Sequence, residues 1–389
     1  MNGDAVYSMF AIFVGAAALA TAALVARQAM LVAYILLGVL LGPAGMGLIS
    51  DTGWIAEVAE IGIIFLLYLL GLNMVPQQLF RTLREVTEVV VLSCAVFAAI
   101  AALIAAGFGF SLAESLVIGA TAMFSSTILG LKLLPTTTLH HQHMGDVMVG
   151  MLLLQDVIAI VLLLTLQGLG KGGTSLLLDV GLQIAALPAL ALLAFALEHW
   201  LIEPLIRRYD RIHEYIFLVV IAWCLGMAEA AHLLGLSREI GAFVAGVALA
   251  SSPIALFVAD SLKPLRDFFL ILFFFSLGAG FNTAVLKDVW LPSLLLAGAM
   301  VVIKPLVFRR LLLFEKERTE MALEIGVRLG QFSEFAFLIA VIALVSGVIG
   351  SRASAVIQVA TLLTFVISAY WTVARYPTPI AVRDSLRRD

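Results

Sequence analysis

Residues 148–169 read MVGMLLLQDVIAIVLLLTLQGL, and Asp156 is the only residue in this run that can carry a charge. An apolar run of this length can cross the hydrocarbon core of a bilayer as a helix. A carboxylate at bilayer depth is unfavourable by several kcal/mol unless it meets water, a partner or a cation. The run therefore predicts a transmembrane helix built around a functional acid, with Gln155 beside it.

The composition of the whole chain is that of an integral membrane protein. Hydrophobic residues make up 62% of the 389 residues and charged residues 13%, and the mean hydropathy is +1.11. These values exclude a soluble globular domain. The apolar runs are also too long and too uniform for the alternating strands of a membrane barrel. We predict an all-α polytopic membrane protein with thirteen transmembrane helices, at about 5–25, 28–48, 53–74, 85–107, 112–133, 145–169, 174–203, 213–235, 239–256, 264–283, 290–313, 319–347 and 351–375.

The positions of Lys and Arg predict the orientation of these helices. If the N-terminus lies outside, most of the 23 Lys and Arg residues fall in inner loops or in the C-terminal tail. Only Lys171, Arg238, Lys287 and Arg352 fall in outer loops. Because inner loops are enriched in Lys and Arg, we expect the N-terminus outside and a cytoplasmic tail at 376–389, in the cell (inner) membrane. The lipid bilayer is the expected partner, and no nucleic acid is expected.

The order of the helices predicts an internal repeat. Six helices on each side of the helix at 174–203 form two halves, at about 5–169 and 213–375, within a transmembrane domain at 1–375. Because seven helices, an odd number, precede the second half, that half enters the membrane from the opposite side. Inverted repeats are typical of secondary transporters, whose sites lie near the midplane between broken helices.

Two polar interruptions occupy matching places in the halves. TAMFSSTILG lies at 121–130 in the fifth helix, and RLGQFSEFAF lies at 328–337 in the twelfth. Ser and Thr can satisfy backbone groups where a helix unwinds. We therefore predict that both helices are broken at these segments.

Several ordered motifs carry a resemblance to a known family. The motifs are AYILLGVLLGP at 33–43, AEIGIIFLLYLLGLN at 59–73, SSTILGLKLL at 125–134, QDVIAI at 155–160, REIGAFVAGVALASSP at 238–253, FFFSLGAGFN at 273–282 and GQFSEFAF at 330–337. Through these motifs the chain resembles the monovalent cation:proton antiporter-2 family over essentially its whole length, and the Gln155-Asp156 pair and the phrase at 241–252 resemble the Kef-type potassium efflux antiporters.

The resemblance implies a homodimer with a dimerisation scaffold and a mobile core, in which the broken helices cross beside the sixth helix. It implies elevator-type alternating access, with Asp156 carrying either a proton or a monovalent cation. A carboxylate in a low-dielectric interior holds its proton more tightly than in water, so it can exchange that proton for a hard cation. Oxygen ligands suit such cations, and the candidates are Ser125, Ser126 and Thr127, with Gln155 as a neutral neighbour.

A single acid predicts one proton exchanged per cation, which is an electroneutral cycle. The transported ions are expected to be K⁺ and H⁺, with Na⁺ as the alternative cation, and no cofactor is expected. A ligand-gated cation channel and an intramembrane aspartyl protease are weaker alternatives. No filter-like carbonyl run and no GxGD motif supports them, so we predict that the protein is not an enzyme.

Other polar residues are expected to support the cation site. Lys304 is expected to pair with Asp156 or Glu334 when the cation is absent, and the alternative is that its side chain extends to the inner surface. Glu334 alternatively pairs with Arg328. Gln331 and Ser333 complete the second polar interruption.

The chain departs from the family pattern at three places. Asn73 replaces an acid, Phe332 replaces a glycine that would ease unwinding, and the acidic loop at 258–267 is reduced. The tail contains no strand-GxGxxG-helix unit, so we expect no regulatory nucleotide-binding domain in this chain. Such a domain, or a separate regulatory subunit, would lie outside the sequence.

Overall fold

Helices follow one another along the described part of the chain. The computed structural model describes residues 5–26, 30–49, 53–72, 76–135, 143–170, 176–209, 211–236, 238–252, 254–281 and 286–378. The helices are α1 (Ala5–Val25), α2 (Met30–Leu41), α3 (Gly53–Leu72), α4 (Pro76–Gly107), α5 (Leu112–Ala122), α6 (Thr127–Lys132), α7 (His143–Gly170), α8 (Leu176–Leu197), a π-helical segment (Glu198–Ile202), α9 (Glu203–Arg208), α10 (His213–Leu233), α11 (Arg238–Leu249), α12 (Ala255–Ala279), α13 (Leu286–Phe314), α14 (Thr319–Arg328), α15 (Phe335–Val345) and α16 (Ser351–Arg375).

The helices agree with the prediction of an all-α polytopic membrane protein. Every predicted window contains helix, because a run of apolar residues in a membrane must satisfy its backbone within the segment. Seven of the described helices are long and apolar enough to cross a membrane on their own. The helical membrane fold is confirmed, whereas the number of thirteen spans stays a prediction.

Both predicted breaks are present. The chain leaves helical geometry at 123–126, between α5 and α6, and again at 329–334, between α14 and α15. Phe332, which replaces the glycine of the family pattern, lies within the second break. Among the described non-glycine residues only Lys316 has a positive φ, so the second break does not require glycine at position 332.

The helices form two packed groups. In the first group α3 packs on α11 and α12, α2 packs on α12, and α10 packs on α11. In the second group α13 contacts α4, α14 and α16, while α7 contacts α4 and α15. Because α5 also packs on α4, the broken helices and the helix that carries Asp156 belong to one group.

The first group depends on close approach of backbones at glycine. A Cβ atom added to Gly278 of α12 would lie 2.0 Å from the carbonyl oxygen of Ile35 in α2. One added to Gly246 of α11 would lie 2.2 Å from the carbonyl oxygen of Tyr68 in α3. Small residues allow such contacts between membrane helices. Each of the two crossings joins the second helix of one predicted half to the third helix of the other.

We expect Gly246→Ala to destabilise the protein by about 1–3 kcal/mol, because the new methyl group forces α3 and α11 apart. Gly226→Ala is the matched control, since a Cβ atom at Gly226 of α10 meets nothing within 4 Å. Thermal unfolding of the purified protein in detergent measures the difference. Equal melting temperatures for the two variants would show that the crossing tolerates the added atom.

Candidate functional site

The two unwound segments bond directly to each other. The Ser125 hydroxyl donates to the carbonyl oxygen of Leu329 at 2.7 Å. The side-chain amide of Gln331 donates to the carbonyl oxygen of Ser126 at 3.4 Å. Each segment thus donates a side-chain hydrogen bond to a carbonyl oxygen of the other segment. The crossing of the broken helices, which the family resemblance implied, is present.

Asp156 lies beside this crossing, in the middle of α7. Its side chain is buried, with 1% relative exposure of the residue. The Thr127 hydroxyl, at the first residue of α6, donates to Oδ2 of Asp156 at 3.0 Å. Oδ1 is buried and has no hydrogen-bond partner among the residues that the structure describes. The acid therefore presents one committed oxygen and one that is available to a ligand.

Gln155 faces the first unwound segment. Its Oε1 accepts the backbone N–H of Ser125 at 2.9 Å. Its Nε2 is buried and makes no hydrogen bond within the described ranges. The amide oxygen is thus already used by the break, so in this arrangement Gln155 positions the segment that carries Ser125.

The three predicted hydroxyl ligands have different contacts. Thr127 bonds Asp156, as stated above, whereas the Ser126 hydroxyl accepts the backbone N–H of Leu129 at 3.0 Å and so caps the start of α6. Ser125 donates to the opposite segment. Of the three side chains, only that of Thr127 touches the acid in this structure.

Lys304 joins both unwound segments. Its Nζ donates to the carbonyl oxygen of Phe124 at 2.7 Å and to that of Gln331 at 2.9 Å. A third, longer contact runs to the Ser125 hydroxyl at 3.3 Å. An ammonium has three N–H donors, so these contacts use all of them.

Both expectations for Lys304 are therefore wrong. Its side chain is fully buried and does not extend to a surface. Its donors are used by backbone and hydroxyl oxygens rather than by Asp156 or Glu334. The physical reason is that α5 and α14 both end near this point, and the negative ends of two helix dipoles favour a cation there.

Arg328 pairs with a nearer acid than expected. Its Nε and Nη2 donate to Oε1 of Glu324, one turn earlier in α14, at 2.9 and 2.7 Å. Its Nη1 and Nη2 also donate to the carbonyl oxygens of Leu133 and Pro377, each at 2.8 Å. The alternative pair with Glu334 is wrong, because the break separates Glu334 from the helical face that carries Arg328.

Glu334 and Ser333 lie at the start of α15. Glu334 is 5% exposed and precedes the first helical residue, where a negative charge is favoured by the helix dipole. The Ser333 hydroxyl accepts the backbone N–H of Phe335 at 3.2 Å, so it satisfies a donor of the first turn.

Sequence reasoning missed two hydroxyls on α16 that contact the second break. Thr364 accepts the backbone N–H of Phe332, and Ser368 bonds the side chain of Gln331. A signal was present in the sequence: Thr361, Thr364 and Ser368 recur at helical spacing along an otherwise apolar run. Residues three and four apart lie on one face of a helix.

The arrangement can hold a single small cation or a proton. Asp156 and Thr127 offer oxygen atoms, which suit hard cations. Within the described ranges, no group of three or more His, Cys, Asp or Glu residues could hold a metal ion.

Known proteins are similar to this chain in sequence and in fold. The family described as "Sodium/hydrogen exchanger, transmembrane" matches residues 9–374. The iron transporter MagA of Paramagnetospirillum magneticum is 29% identical over 349 residues, which are 89% of this chain and 80% of that protein. K(+) efflux antiporter 4 of Arabidopsis thaliana is 31% identical over 324 residues, which are 81% of this chain and 54% of that protein.

A solved structure has a similar fold. The sodium proton antiporter MjNhaP1 from Methanocaldococcus jannaschii, at pH 8, superposes with a TM-score of 0.69 over 94% of each chain at 18% identity. This likeness shows that the chain has a helical membrane fold like that of MjNhaP1. The chain belongs to the sodium/hydrogen exchanger family, which confirms the family resemblance seen in the motifs. It spans about half the length of the K(+) efflux antiporters that it matches.

We expect Lys304→Met to destabilise the protein by on the order of 2–4 kcal/mol, because the carbonyl oxygens of Phe124 and Gln331 lose their buried donor. Lys263→Met is the control, since Lys263 is exposed and pairs with Asp260 at the surface. Melting temperatures of both variants in detergent test this. A Lys304→Met protein as stable as Lys263→Met would show that the ammonium does not hold the crossing.

Proposed function

We propose that this chain is a secondary active K⁺/H⁺ antiporter in which Asp156 is the shared site for the cation and the proton. The observation that carries the proposal is the buried carboxylate of Asp156, which lies beside the crossing of two broken helices and has one oxygen free of hydrogen bonds within the described residues. Proton and cation compete for the same carboxylate, so binding of one requires release of the other. Such competition couples the two fluxes without any further device.

Broken helices support this role for the surroundings of Asp156. The carbonyl oxygen of Ser126 accepts the backbone N–H of Gly130 at 3.0 Å and, more weakly, the side-chain amide of Gln331 at 3.4 Å, so the first break is held from both sides. The Thr127 hydroxyl donates to Asp156 and keeps lone pairs that can ligate an ion. Lys304 bonds two carbonyl oxygens of the crossing rather than Asp156. Asp156 is therefore not neutralised by a bonded ammonium and can act as the carrier.

Potassium is the proposed cation, and sodium is the alternative. The name of K(+) efflux antiporter 4, at 31% identity, favours potassium. The description of the family and the name of MjNhaP1 refer to sodium. The oxygens of Asp156 and Thr127 suit either ion, so selectivity follows from the size and stiffness of the cavity. Proton flux in sealed vesicles under imposed K⁺ or Na⁺ gradients separates the two.

The cycle that fits this site is electroneutral and of the elevator type. We propose that the group of helices containing the crossing moves against the other group, which forms the interface of a homodimer. The N-terminus lies outside and the C-terminus inside the cell membrane, as the positions of Lys and Arg favour. Regulation by a further domain or subunit is proposed from the greater length of the K(+) efflux antiporters.

We expect Asp156→Asn to reduce cation-driven proton flux to the background of empty vesicles, because an amide of the same size neither ionises nor titrates. Its melting temperature should stay within a few degrees of the parent value. Asp260→Asn, which alters an exposed ion pair with Lys263, is the control and should exchange normally. Normal exchange by Asp156→Asn would refute the proposed site.

The proposed stoichiometry predicts a second result. The parent protein should generate no membrane potential during exchange, since the site carries one charge with either ion. Gln155→Glu places a second carboxyl group next to Asp156, and two such groups cannot both ionise readily. This variant should release a second proton per cation and so generate a potential, reported by a voltage-sensitive dye.

Gln358→Glu is the matched control for the added carboxyl group. Gln358 bonds Ser354 on its own helix and does not contact the crossing. This control should remain electroneutral. A potential generated by the parent protein would contradict one-for-one exchange and would indicate that Glu334 also titrates.

A further inference from the structure

We propose that Thr364 and Ser368 of α16 are positioning residues for transport, because their hydroxyls hold the second unwound segment at the crossing. The inference rests on the proposed function of Asp156 and extends it to a helix that contributes no charged group near the site. Neither hydroxyl bonds the acid. Each acts on the backbone or side chain of a residue in the break, which in turn fixes the partner segment.

Thr364 secures the backbone of Phe332. Its hydroxyl donates to the carbonyl oxygen of Thr361 at 2.9 Å. That bond commits the hydrogen and leaves a lone pair, which accepts the backbone N–H of Phe332 at 3.0 Å. Without this acceptor, a buried N–H of the break would be unsatisfied. The centre of the Phe332 ring in turn lies 5.4 Å from Nζ of Lys304, within the range of a cation–π contact.

Ser368 orients the side chain of Gln331. Its Oγ lies 2.9 Å from Oε1 of Gln331 and 3.2 Å from the carbonyl oxygen of Val327. A hydroxyl that donates to Oε1 turns the Nε2 end of the amide toward the opposite segment. There Nε2 donates to the carbonyl oxygen of Ser126. The orientation of a buried amide is set by its hydrogen-bond network, so Ser368 decides which end meets Ser126.

The two contacts act on the same residues that complete the site. The backbone carbonyl of Gln331 accepts a hydrogen bond from the Lys304 ammonium. The side-chain amide of Gln331 donates to the carbonyl oxygen of Ser126, the neighbour of Thr127. Thr127 donates to Asp156. A chain of hydrogen bonds and adjacent residues therefore runs from α16 to the acid. Loss of either hydroxyl should therefore weaken binding of the cation, while Asp156 remains the carrier.

Thr361 provides a matched control. It is fully buried on the same face of α16, and its hydroxyl donates to Ile357 of its own helix at 2.7 Å. Thr361→Val removes a hydroxyl of the same kind without removing a contact to the break. A purely structural role of hydroxyls along α16 would affect Thr361→Val and Thr364→Val alike. A positioning role would affect only the variants that lose contact with the break.

The experiment compares Thr364→Val, Ser368→Ala and Thr361→Val as full chains in sealed vesicles, with K⁺-driven proton flux measured across K⁺ concentration and pH. We expect the apparent KM for K⁺ to rise on the order of three- to ten-fold in the first two variants, the equivalent of one lost hydrogen bond. The maximal rate should change less than KM, and Thr361→Val should match the parent. Thr364→Ser should restore the parent KM, because it returns the hydroxyl.

Each result decides the inference. Equal KM values for Thr364→Val, Ser368→Ala and Thr361→Val would overturn it, as would a failure of Thr364→Ser to restore KM. If Thr364→Val does not fold, Ser368→Ala alone decides, and a parent-like KM in that variant overturns the inference. Failure of the proposed function is distinguishable, because it would appear as normal exchange by Asp156→Asn, whatever the α16 variants do.

Discussion

The bonds from the Lys304 ammonium to two backbone carbonyls are the interaction on which the crossing depends. Phe124 and Gln331 supply these carbonyls, one from each unwound segment. A helix that breaks inside a membrane releases backbone groups that no water is present to satisfy. One buried cation bonds both breaks at the same point, where the negative ends of α5 and α14 also favour it. The breaks and the lysine therefore stabilise one another.

The bonds of Lys304 to the backbone leave the carboxylate of Asp156 free for the proposed exchange of a proton and a cation. Because Lys304 is held by the backbone, Asp156 keeps one hydrogen bond, from Thr127, and one oxygen without a partner among the described residues. An ammonium bonded to the carboxylate would have to be displaced by every incoming proton or cation. In the proposed cycle, separation of the two charges lets the carboxylate exchange ligands while the crossing remains intact. The same polar network also explains why the site extends to α16, which carries no acid at the crossing.

Much of the fold was predictable because the membrane limits the choices of the chain. Long apolar runs must be helices. The polar residues Ser125 to Thr127 and Gln331 to Glu334 indicated where both breaks lie. The partners within the site were less predictable. Lys304 was expected to bond an acid and bonds carbonyls instead, because charge alone does not reveal where helix ends converge. Arg328 likewise pairs with Glu324, which lies one turn away on the same helix.

The sequence by itself determined the class of protein, the helical windows, the two interruptions and the single acid beside Gln155, since these follow from hydrophobicity and local composition. Only the tertiary structure decided the partner of each polar group. Thr364 and Ser368 lie more than thirty residues from the break that they contact. Lys304 lies 180 residues along the chain from Phe124. Hydrogen bonds over such separations depend on how the helices cross, which one sequence without its packing does not specify.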